Sequence, residues 1–180
     1  MRSSLLFRSL ILGATAAVVV LSGCSREKDR WLNRRYHEVT ARFNPLYNGQ
    51  VAYAEALALA QEAQQDDFTQ LIPVDDWTKV KTGTPGEVKA KRAVEKAAKT
   101  IQEHSMVFKG KQANPAVFDA YLLMARAQML MGLDAPASEA LSNVARLSTN
   151  PEQQVEAELE RAELLARQGN SALAEPLMFE

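Results

Sequence analysis

Four small residues in the C-terminal half return at one fixed offset. Ala125, Gly132, Ala135 and Ala137 recur as Ala162, Gly169, Ala172 and Ala174, each 37 positions later. Self-similarity at that period marks a supersecondary unit stacked on copies of itself. The alanines let the two helices of a unit approach closely, and each glycine falls at the turn between them. Helix-start signals agree. Asn44-Pro45, Asn114-Pro115 and Asn150-Pro151 each pair a capping side chain with a residue suited to the first helical turn. Thr84-Pro85-Gly86-Glu87 adds a capping box.

Apolar residues between these marks keep helical spacing. Val94, Ala97, Ile101 and Ser105 share a face over about residues 86–106, and Phe118, Tyr121, Leu122, Ala125 and Met129 share a second. Ala137, Ala140, Leu141 and Val144 form a third face, and Val155, Leu159, Ala162 and Ala166 a fourth. The expected fold class is all-α without sheet: antiparallel helix pairs in a right-handed α-solenoid resembling tetratricopeptide (TPR) repeats, whose unit is about 34 residues. Gln128 and Leu165 replace a tyrosine of that pattern, so a generic antiparallel helical array is the alternative. The divisions are a leader over 1–23, a tether over 24–30, a helical hairpin over 31–64, a connector over 65–85 and repeats over 86–180. Glu180 falls inside the second helix of the last unit, which reads as a fragment or as an open end that pairs with a partner.

The leader sets the compartment. Arg2 and Arg8 precede an apolar run from Leu10 to Leu21, too short to span a bilayer and right for a signal peptide. Leu21-Ser22-Gly23-Cys24 resembles the lipobox of bacterial lipoproteins. That resemblance implies cleavage before Cys24, lipid on its thiol, and location at the outer membrane facing the periplasm, since Ser25 follows the cysteine. The basic residues Arg26, Lys28, Arg30, Arg34 and Arg35 read equally as headgroup contacts or as a solvated helix start.

Two longer segments carry a family likeness. Arg35-Tyr36-His37-Glu38-Val39-Thr40-Ala41-Arg42-Phe43-Asn44 is followed by Leu46-Tyr47-Asn48-Gly49. Ile101-Gln102-Glu103-His104-Ser105-Met106 precedes Asn114-Pro115 and Asp119-Ala120-Tyr121-Leu122-Leu123. In this order, behind a lipobox, they resemble the N-terminal part of the gliding-motility and type IX secretion TPR lipoproteins of Bacteroidetes (the SprE/PorW group). The resemblance implies an outer-membrane adaptor that binds proteins of the secretion and motility machinery, with Tyr36, His37, Tyr47, Asn48 and His104 as candidate contacts. Duller roles are open for each: Tyr36 and His37 as packing, Asn44 as a cap, Gly49 as a close-approach point, and His104 as an imidazolium at a helix C-terminus.

Composition narrows the classes. Lys+Arg number 21 against 22 Asp+Glu, a poor balance for a nucleic-acid binder. One cysteine excludes an intrachain disulfide and a Cys-based zinc site, and two histidines 67 positions apart leave little for a metal. His37 and Glu38 point about 100° apart on a helix and make no dyad. No phosphate loop or serine elbow occurs. The expectation is a non-enzyme with no cofactor beyond lipid on Cys24 and no small-molecule substrate; a lipoprotein of outer-membrane protein assembly is the alternative.

Overall fold

The computed structural model describes residues 25–64, 69 and 79–179. The expectations for the leader and Cys24, and for residues 65–68 and 70–78 of the connector, lie outside the described residues. Within them run α1 (Trp31–Ala41), a π-helical turn (Arg42–Leu46), α2 (Tyr47–Glu62) and α3 (Pro85–His104). A short hairpin follows, β1 (Val107–Phe108) and β2 (Lys111–Gln112), then α4 (Pro115–Leu130), α5 (Asp134–Leu147), α6 (Pro151–Arg167) and α7 (Ser171–Phe179).

From α2 to α7 every helix packs on its sequence neighbour, except that the hairpin intervenes between α3 and α4, which still pack together. In addition α2 touches α4, and α4 touches α6. The chain is therefore an all-α repeat array of pairs α2–α3, α4–α5 and α6–α7, in which the first helices of the pairs form one continuous row.

Local chemistry starts three of these helices where the sequence marks them. The Thr84 hydroxyl accepts from the Glu87 N–H at 3.4 Å, and the Glu87 carboxylate accepts from the Gly83 N–H at 2.7 Å. Asn114 Oδ1 accepts from the Ala116 N–H at 3.1 Å, and Asn150 Oδ1 from the Glu152 N–H at 3.0 Å. Asn44-Pro45 behaves otherwise and corrects both the expected cap and the expected hairpin over 31–64. Helix continues through it, because one wider turn absorbs the proline: the Tyr47 N–H donates to Arg42 O, five residues back. The side-chain amide of Asn48 donates to Asn44 O at 2.7 Å.

The 37-residue offset is real in three dimensions. Gly132 and Gly169 both take positive φ, 72° and 77°. At the first, Leu133 N–H reaches Gln128 O at 2.8 Å and Gly132 N–H reaches Met129 O at 3.0 Å. At the second, Asn170 N–H reaches Leu165 O at 2.9 Å and Gly169 N–H reaches Ala166 O at 3.0 Å. These are two Schellman caps in register, and only glycine holds that conformation without strain. Ala125 and Ala162, Ala137 and Ala174 are buried in both units, whereas Ala135 and Ala172 are exposed.

Small residues set the first pair. Ala52, Ala56 and Ala60 of α2 and Ala90, Ala93 and Ala97 of α3 are all buried. A Cβ on Gly49 would lie 2.8 Å from Leu123 Cδ2 and 3.1 Å from Lys96 Cβ, so the expected close-approach role holds. The buried stripe of α3 is Ala90, Ala93, Ala97, Thr100 and His104, with Val94 and Ile101 at its edge. On α6 the expected face is partly wrong: Ala157, Ala162 and Leu164 are buried, while Val155 and Leu159 are exposed. Helix α6 lies between α5 and α7, and among the described residues nothing covers that remaining side.

The expectation of no sheet is also corrected. Lys109 (φ 50°) and Gly110 (φ 76°) form a two-residue turn of the kind that matches strand twist. Gln112 locks the hairpin: its Oε1 accepts from the N–H groups of Met106 and Asn114 at 2.8 and 3.0 Å, and its Nε2 donates to Ser105 Oγ at 2.7 Å.

Candidate functional site

The chain after residue 24 folds back on itself. Asn33, buried in the first turn of α1, donates through Nδ2 to Ser25 O at 2.8 Å and Lys28 O at 3.1 Å. Arg26 donates to Gln102 O on α3. Residues 25–30 are therefore a compact turn held beside α1.

Two of the sequence candidates meet. His37 of α1 and His104 at the end of α3 are both buried, with Nδ1 atoms 3.2 Å apart and ring centroids 5.4 Å apart. Thr40 Oγ1 lies 3.4 Å from His104 Nδ1, and the Tyr36 ring meets His37 edge-on at 5.4 Å. The Asn114 amide donates to His104 O at 2.9 Å, so α1, α3 and the start of α4 converge on one point. An Nδ1–Nδ1 hydrogen bond requires one ring to carry its Nδ1 proton and the other to lack it. Burial, reinforced by His37, pushes the His104 imidazole below its ordinary value. The neutral ring is favoured, which corrects the expected imidazolium at the helix terminus.

A pH dependence follows, with its sign fixed. A base whose folded pKa is depressed contributes stability that is complete above its unfolded value, about 6.5, and is lost as pH falls through the folded one. Thermal midpoints of the chain are expected to fall from about pH 7 toward pH 5, and less steeply in His104→Gln. Burial pushes the Asp119 and Glu160 carboxyls up, an opposite contribution at lower pH that is common to both proteins and cancels in the comparison. Parallel profiles would contradict this reading of the pair.

The other candidates separate. Tyr36 and Tyr47 are exposed, Asn48 is exposed and engaged with Asn44, and Cys24 lies outside the described residues. His37 and His104 are turned into the fold, while Tyr36, Tyr47 and Asn48 lie at the surface.

Sequence reasoning missed a second locus on the row α2, α4, α6. The Arg126 guanidinium donates to Glu160 at 2.7 Å and Glu156 at 2.9 Å, and Arg167 pairs with Glu163 at 2.6 Å. With Tyr53 of α2 these line a cleft between the first helices of successive units. Burial pushes the Tyr53 phenol up, and it raises Glu160 against the lowering field of Arg126. At α4's outer end Arg42 pairs with Asp119 at 3.2 Å. These guanidinium and carboxylate groups are paired with one another across the cleft and along α6. The signal was present as Glu156, Glu160, Glu163 and Arg167 at steps of four, three and four, on one face of α6. Among the described residues no group of three or more His, Cys, Asp or Glu is placed to hold a metal ion. No helix among them is long and apolar enough to cross a membrane.

No protein-family model matches the chain, and no curated protein matches it.

Proposed function

We propose that this protein is a lipoprotein anchored through Cys24 in the outer membrane and facing the periplasm. Its helical array serves as a protein–protein scaffold in type IX secretion and gliding motility. The observation that carries the reading is how the segments bearing the family likeness come together. Residues 35–44 are distant in sequence from 101–106 and 114–123 yet pack on both, through His37 on His104 and Arg42 on Asp119, and Asn114 ties the latter two together at the His104 carbonyl. A likeness spread over unrelated surface would carry less weight. The cleft along α2, α4 and α6 is the surface the scaffold offers to its partners, which are proteins of the secretion and motility machinery. The protein acts by binding, with lipid on Cys24 as its one attached group.

Deleting the gene is expected to leave type IX cargo in the periplasm while barrel proteins reach the outer membrane at wild-type levels. Broad loss of barrels with normal cargo export would instead establish the assembly-factor alternative.

A further inference from the structure

Helix α1 buries Asn33, His37 and Ala41 and exposes an apolar stripe on another side. Leu32, Tyr36, Val39 and Phe43 fall within an arc of about 60° at 100° per residue, and Tyr47 continues the exposed surface past the π turn. Phe43 is 78% exposed and Trp31 71%. Among the described residues every exposed aromatic side chain, Trp31, Tyr36, Phe43 and Tyr47, is on this one helical run. Exposed aromatic side chains so close together mark a surface with an occupant.

Charge says what the occupant is. Residues 25–43 carry six Lys/Arg against three Asp/Glu, while the chain after residue 43 carries 13 against 19. Position agrees. Asn33 pins Ser25, which follows Cys24 in the sequence, to the head of α1. Trp, Phe and Leu flanked by Arg and Lys are the makeup of helices that lie in the headgroup layer of anionic lipid.

We propose that α1 and the first turn of α2 form an interfacial surface that docks on anionic phospholipid. In the cell this rests on the lipid-anchor reading, since acylation at Cys24 would hold α1 against the bilayer at high local concentration. Lipid anchor and helix then make two attachments, which orient the array where one flexible attachment would not.

The test separates the two. The buried clusters of the array lie between Ala41 and Leu164, so a chain of residues 25–180 retains them without any acyl group. It is floated with vesicles of phosphatidylethanolamine and phosphatidylglycerol. The chain is expected to float with these vesicles, to bind phosphatidylcholine vesicles much less, and to lose binding at least about tenfold in Leu32→Ser/Phe43→Ser. Val155→Ser/Leu159→Ser, which changes an exposed apolar patch elsewhere, is expected to float like the parent. Thermal midpoints within a few degrees of the parent confirm that both variants fold. Failure of the parent to float, equal flotation of the stripe variant, or equal loss in the Val155/Leu159 control each overturns the proposal. Capture of a protein through the stripe without vesicle binding overturns it as well. Acylation of Cys24 in cells is read independently, so the anchor can stand while the docking surface falls, or the reverse.

Discussion

Ala125→Trp is expected to lower the stability of the array by about 3 kcal/mol or more, the upper range for overpacking a filled core. Ala125 is fully buried in the cluster formed by Phe118, Leu122, Met129, Ala137, Leu141 and Val144, where α4 meets α5. An indole there must push the helices apart or leave its rotamer minimum, and it breaks the close approach the repeat depends on. For a chain of this length the thermal midpoint should fall by about 6–12 °C. Ala162→Trp, one repeat later and also buried, should behave alike. Ala135→Trp sits at an exposed recurring alanine and should stay within about 0.5 kcal/mol of the parent. Equal stability of the Ala125 and Ala135 variants would refute the packing of the repeat.

That contrast shows where the sequence was informative. Thr84, Asn114 and Asn150 were readable as caps because a capping bond is made within three residues of its own position. Gly132 and Gly169 were readable because a left-handed cap constrains the residue type directly. Asn44-Pro45 carries the same local signal, yet the chain runs on as helix. Whether a proline begins a helix or widens one is settled by packing on either side, which no dipeptide encodes. The hairpin at Val107–Gln112 was invisible, since two-residue strands are too short for any alternation and Lys109-Gly110 is a weak turn signal. Leu32, Tyr36, Val39 and Phe43 have the spacing of a core face and are exposed, because spacing shows that residues share a side and not what covers it. Of the site, the meeting of His37 with His104 depends on α1 crossing the end of α3. The Arg126–Glu160 contact depends on α4 and α6 lying side by side. Both are tertiary facts.

The second large effect concerns Cys24, and it tests the central claim most directly. Anchoring by acyl chains is lost entirely when the acceptor thiol is removed, whereas the array, whose buried clusters begin at Ala41, is untouched. Cells expressing the wild type or Cys24→Ala are to be fed an alkyne fatty acid and fractionated. The account predicts label on the wild-type protein in the outer-membrane fraction, no label on Cys24→Ala, and loss of that variant's stable membrane retention. Equal labelling of the two proteins, or an unlabelled wild type, would contradict it.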